Sequence, residues 1–213
     1  DVNSGTASSN PDQLNVLGSQ LTFVATHSTL GRELFKTNGS GSLTVTRDIN
    51  PSGDSNPSNV TKINSLLYFS ADNGTAGQEL WKSDGTSLGT VLLKDINPTG
   101  ASNPSKFTQV GSTIFFIAND GVNGIELWKT DGTSTGTVMV KNINPLGSSY
   151  PNYLTEYNGK LYFSADGAGT NVQELWVSDG TDSGTTMIQI NPNPTSAEVS
   201  DLVVYNNELY FAA

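Results

Sequence analysis

The chain has 213 residues, with 10 Lys and Arg against 20 Asp and Glu, a formal charge of -10, and no basic run that could neutralise successive phosphates, so nucleic acid is excluded as a partner. Cysteine is absent, which removes disulfides and thiolate metal sites. The longest apolar runs, such as Leu66 to Phe69 and Ile114 to Ala118, fall far below the roughly 18 residues of a membrane span, so a soluble chain without membrane insertion is expected.

Read from its start, the chain announces a period. Asp1-Val2-Asn3, Asp48-Ile49-Asn50, Asp95-Ile96-Asn97, Asn142-Ile143-Asn144 and Gln189-Ile190-Asn191 begin 47 residues apart. A second word, Glu33-Leu34-Phe35, Glu79-Leu80-Trp81, Glu126-Leu127-Trp128 and Glu174-Leu175-Trp176, recurs at steps of 46, 47 and 48. Periods of this size mean solenoids, propellers or arrays. We expect one repeat domain over 1–213, with four full repeats (1–47, 48–94, 95–141, 142–188) and a half repeat (189–213). The chain has no initiator Met and opens inside a repeat, so a mature or excised piece of a longer protein is expected.

The first repeat holds an apolar strand, Leu21 to Ala25, and then a loop, Thr26 to Arg32, with the only His and one of two Arg residues. The second repeat shows the full plan. Val60-Thr61-Lys62-Ile63 alternates apolar with polar and stops at the turn Asn64-Ser65. The strand Leu67 to Ala71 returns, as do its equivalents Ile114 to Ala118, Leu161 to Ala165 and Leu209 to Ala213. These near-continuous apolar runs predict burial on both faces. A third strand follows around Glu79 to Lys82, then the turn Asp84-Gly85-Thr86 and a fourth strand, Val91 to Lys94. Further along, Asn158-Gly159 is a strong signal for a type I′ hairpin, in which both central residues take positive φ. Four short strands joined by tight turns make an antiparallel meander, and the predicted fold class is all-β, a β-propeller or propeller fragment of four-stranded antiparallel blades. A β-solenoid is the alternative, but hairpin turns demand antiparallel neighbours. The half repeat leaves an open strand edge, a template for self-association by strand addition.

Glu79 to Thr86, Glu126 to Thr133 and Glu174 to Thr181 resemble the bacterial ELWxxDGT repeat proteins over essentially the whole chain. The first repeat departs, with Phe35 for Trp and Asn38-Gly39-Ser40 for Asp-Gly-Thr. The resemblance implies a secreted or surface-attached bacterial protein with propeller-like repeats.

Residues repeated in every blade stand at different places around a ring, whereas one active site needs an exception. Glu33, Glu79, Glu126 and Glu174 are therefore read as structural, hydrogen-bonded to an adjacent blade, rather than as catalytic carboxylates. Trp81, Trp128 and Trp176 share a face with those Glu residues, and either stack on a sugar or pack between blades. Asp84, Asp131 and Asp179 precede Gly-Thr and are expected to hold turns. The oxygen-rich loops at Asp72-Asn73-Gly74-Thr75, Asn119-Asp120-Gly121-Val122 and Asp166-Gly167-Ala168-Gly169 make Asp72, Asp120 and Asp166 the candidate calcium ligands, with no other cofactor expected. His27 and Arg32 form the one chemically unusual cluster and are the remaining candidate ligand contacts.

The expected function is a non-enzymatic extracellular or cell-surface repeat protein: a scaffold, an adhesin or a self-assembling subunit. The alternative is a multivalent glycan-binding propeller assisted by calcium. An enzyme acting on polysaccharide ranks below both.

Overall fold

The computed structural model describes residues 2–3, 7–168, 173–190 and 198–213. Asp1, Gly169 and Asn191, quoted above, lie outside the described residues. The chain divides into two compact units, Asp1–Pro104 and Ser105–Ala213, where the sequence reading has one repeat-built body.

The first unit holds two four-stranded antiparallel meanders. One is β1 (Asp12–Leu17), β2 (Gln20–His27), β3 (Gly31–Thr37) and β4 (Leu43–Val45); the other is β5 (Ser58–Ile63), β6 (Leu66–Asp72), β7 (Gln78–Ser83) and β8 (Val91–Lys94). The second unit repeats the plan with β9 (Ser105–Val110), β10 (Thr113–Asn119), β11 (Ile125–Thr130) and β12 (Val138–Lys141), then β13 (Asn152–Tyr157), β14 (Lys160–Asp166), β15 (Gln173–Ser178) and β16 (Thr186–Ile188). A two-stranded hairpin, β17 (Ser200–Tyr205) and β18 (Glu208–Ala212), follows. The fold is all-β, built of propeller-type blades. No helix among the described residues is long and apolar enough to cross a membrane.

Sheets within a unit stack through the alternating faces of their strands. In the first unit Leu17, Val24 and Leu34 meet Val60, Leu67, Phe69, Ala71 and Trp81. In the second, Val110, Phe115 and Leu127 meet Leu161, Phe163, Ala165 and Trp176 in the same pattern. The middle strands are buried on both faces, as Leu67 and Phe69 at 0% exposure and Tyr68 at 4% illustrate.

The hairpin turns obey local chemistry. Asn158 and Gly159 take φ of 51° and 74°, the type I′ signature. A second device has no such sequence signature. The second residue of every first strand stands at positive φ: Gln13 (52°), Asn59 (54°), Lys106 (59°), Tyr153 (53°) and Asp201 (55°). Each first strand bears a register shift against its return strand at this level. Such bulges re-aim a side chain. Gln13 Oε1 accepts the Val60 N–H at 3.0 Å, Asn59 Nδ2 donates to Pro104 O at 3.4 Å, and Lys106 Nζ donates to Asn152 Oδ1 at 2.8 Å. The bulge thus ties β1 to β5 and β9 to the start of β13, and it ties Asn59 to the connector that follows its own sheet.

Candidate functional site

The repeated carboxylates are the first chemistry to place. Glu33, Glu79 and Glu126 are fully buried. Oε2 of Glu79 accepts the Ile96 N–H at 2.7 Å and the Ser102 hydroxyl at 2.6 Å, while Oε1 accepts the Ser102 N–H at 2.9 Å. Glu33 makes the same three bonds to Ile49 and Ser55, and Glu126 to Ile143 and Ser149. Each carboxylate therefore staples its strand to the connector that leads out of its sheet. Burial pushes the Glu33 carboxyl up from 4.5 to about 7 against the pull of these bonds. Burial likewise raises Glu79 and Glu126. Glu174 holds the same place in β15, and the serine that corresponds in sequence, Ser196, lies outside the described residues.

The three tryptophans are buried, at 4% (Trp81), 7% (Trp128) and 8% (Trp176) exposure. No ring face is open to a sugar, so the stacking reading is corrected in favour of packing: Trp81 joins the inter-sheet core of the first unit and Trp176 that of the second. Trp128 lies 6.5 Å from the Phe116 ring.

Asp84, Asp131 and Asp179 each accept the N–H and hydroxyl of the Thr two residues on, at 2.6–2.8 Å. The Thr86 hydroxyl and N–H hold the Asp84 carboxyl below its usual range, and Thr181 does the same for Asp179. A Cβ at Gly89, Gly136 or Gly184 would overlap the Asp carboxylate of its turn, which accounts for the second glycine of each motif. Asn38 reproduces the turn in the first repeat, accepting from Ser40 N and Oγ at 3.1 and 2.7 Å.

The loop carboxylates also act within their own turns. Asp72 Oδ1 accepts the Gly74 N–H at 2.7 Å, and Asp166 Oδ1 accepts Gln173 Nε2 at 2.8 Å. Asp120 engages both oxygens with Val122 and Asn123; burial alone would raise its carboxyl, but these bonds hold it low. Asp72 ends β6, Asp166 ends β14 and Asp120 follows β10, so the three belong to different sheets' loops, and no group of three or more His, Asp or Glu able to hold a metal occurs among the described residues.

His27 and Arg32 do not form a joint site. His27 stacks on Phe35 at 6.3 Å and its Nδ1 meets Thr29. Arg32 pairs with Asp12 at 2.6 Å and donates to Asn10 O at 3.1 Å, bracing the start of β1.

Sequence reasoning passed over a cleft in the second unit. Lys106, Tyr150, Asn152, Tyr153, Gln173, Glu198, Val199 and Ser200 enclose a cavity of about 570 Å³ beside the first strands β13 and β17. Tyr150 and Tyr153 are 55% and 36% exposed and stand at φ of 46° and 53°. Positive φ on a bulky side chain costs roughly 1–3 kcal/mol and persists where the surroundings impose it. Lys106 Nζ is fixed by Pro151 O at 3.2 Å and by Asn152 Oδ1, and burial lowers its pKa.

No family model and no curated protein matches the chain. Solved structures match at the level of fold. An acylaminoacyl peptidase from Pyrococcus horikoshii superposes with a TM-score of 0.50 at 8% identity, over 83% of this chain and 27% of the peptidase. A prolyl endopeptidase matches with a TM-score of 0.51 at 11% identity, over 91% and 29%. The chain thus spans little more than a quarter of either peptidase. An α-L-arabinofuranosidase from Clostridium thermocellum is 18% identical over 97% of this chain and 81% of its own, at a TM-score of 0.36. The likeness is of propeller-type architecture, and folds of this kind host unrelated activities.

The serines that close the staples were legible in principle. Ser55-Asn56-Pro57, Ser102-Asn103-Pro104 and Ser149-Tyr150-Pro151 repeat on the same period. The third of these words breaks the pattern with Tyr150, and that break points to the cleft.

Proposed function

We propose that the chain is a non-enzymatic extracellular repeat protein of the bacterial cell surface, serving as a scaffold or adhesin. One observation carries this reading: Glu33, Glu79 and Glu126, the repeated groups best suited to acid and base chemistry, have both oxygens engaged by connector amides and a serine hydroxyl. The resemblance to ELWxxDGT repeat proteins supports the location. Incubation with polysaccharide and peptide substrates is expected to give no turnover, and turnover by the purified chain would overturn the proposal. Self-association belongs to the same proposal. Light scattering over a hundredfold concentration range tests it, with growth in mass as the expected result.

The second reading is glycan binding. The tyrosine-lined cleft favours it, at a place other than the tryptophans expected from sequence. Calcium assistance is tested by adding EDTA to the same binding measurement.

A further inference from the structure

The cleft is where the repeat fails in a directed way. Three consecutive first strands carry a polar bulge residue: Gln13 bonds to Val60 in the next sheet, Lys106 bonds to Asn152 at the start of the next, and Asn59 bonds to Pro104 O in the connector that leaves its sheet. At the fourth the place is taken by Tyr153. Three residues earlier, the positive-φ position is Asn10, Asn56 and Asn103 in the first three repeats and Tyr150 in the fourth. Asparagine tolerates the left-handed region well, and tyrosine does not. The costlier residue stands at Tyr150 where the first three repeats have asparagine, Tyr153 stands beside it, and both leave an aromatic ring partly exposed. A third difference accompanies them. Gln78 donates to Ser55 O and Asn56 O in the first unit, whereas its counterpart Gln173 donates to Asp166.

From this juxtaposition we propose that the cleft between β13 and β17 is a binding site for a neutral oligosaccharide, with Tyr150 and Tyr153 presenting ring faces and Asn152, Lys106 and Ser200 meeting hydroxyls. The proposal deepens the adhesin reading and rests on it. Aromatic faces bury the C–H surface of a pyranose while leaving its hydroxyls to polar neighbours. The amide of Asn152 and the ammonium of Lys106 are held together by their own hydrogen bond, so they are oriented before a ligand arrives. A polyanionic saccharide is disfavoured by the formal charge of -10 and by Glu198 at the rim.

The test is titration of the whole chain with neutral tetrasaccharides of glucose, galactose, mannose and xylose, read by saturation-transfer NMR and calorimetry. A proline-rich peptide serves as the competing ligand class. Tyr150→Asn and Tyr153→Asn restore the residue types found at these positions in other repeats. Each is expected to raise the melting temperature and to weaken saccharide binding at least tenfold. Failure of every tetrasaccharide to bind, undiminished binding by both folded variants, or preference for the peptide would overturn the proposal. Cleavage of a bound saccharide would support the cleft and sink only the non-catalytic reading.

Discussion

At Glu79 one carboxylate answers three donors; its removal would leave the buried Ile96 N–H without an acceptor, while the Ser102 N–H and hydroxyl would keep only Gln78 O. A buried donor left unsatisfied costs about 1–3 kcal/mol, so Glu79→Ala is expected to destabilise the first unit by about 1–3 kcal/mol in urea unfolding. The tryptophans separate by their indole nitrogens. Trp176 Nε1 donates to Ala165 O at 3.1 Å, while Trp81 Nε1 is buried without an acceptor among the described residues. Phe35 already fills the equivalent place in the first repeat. Trp176→Phe is therefore expected to cost about 1 kcal/mol more than Trp81→Phe, the net worth of one hydrogen bond. Equal losses in the two urea titrations would remove the indole bond from the account.

At the scale of the strand and turn, Gly159 stands at φ 74° with open space around its Cα. Gly159→Ala meets no neighbour, and only the left-handed backbone opposes it. A loss of about 1–2 kcal/mol is expected, visible as faster amide exchange along β13 and β14. Turns and strands of this kind were legible because their causes are local: Asn158-Gly159 names its own geometry, and Leu67 to Ala71 declares its burial by composition. The bulges were not. Gln13, Asn59, Lys106 and Tyr153 share a backbone conformation but no chemistry, so no residue type marks it in sequence. The Glu residues were read as structural before any partner could be named, because the bond from Glu79 to Ser102 spans 23 residues and needs the folded connector. The tryptophan and His27–Arg32 readings missed the cleft because they followed the conspicuous residues. The informative residue was Tyr150, standing where the first three repeats have asparagine, with Tyr153 at the bulge beside it.

Over the whole molecule, the buried carboxylates set the response to pH. Glu33 has its pKa raised to about 7, and Glu79 and Glu126 are raised by the same burial, so the folded state holds these protons more tightly than the unfolded chain does. The contribution of Glu33 to stability is full below the ordinary Glu value of 4.5 and is lost as pH rises through about 7, and those of Glu79 and Glu126 are likewise lost on the alkaline side. Asp84, Asp120 and Asp179, with lowered pKa, act in the opposite sense and lose their contribution only in stronger acid. The melting temperature is therefore expected to peak near pH 5 and to fall toward pH 8, as thermal scans across pH 3–9 would show; a rise over pH 5–8 would contradict the assignment. The staples also fix where such a chain can be cut and rejoined. Glu79 and Ser102 lie on opposite sides of the boundary at which one 47-residue word ends and the next begins. A graft or duplication that joins repeats at that boundary can separate the two halves of a clasp. A cut within a hairpin turn, such as Gly111-Ser112, leaves Glu126 with Ser149 on one piece. Modules exchanged in that second phase carry their own fasteners, and on this account they are the natural pieces from which longer proteins of this kind can be recombined.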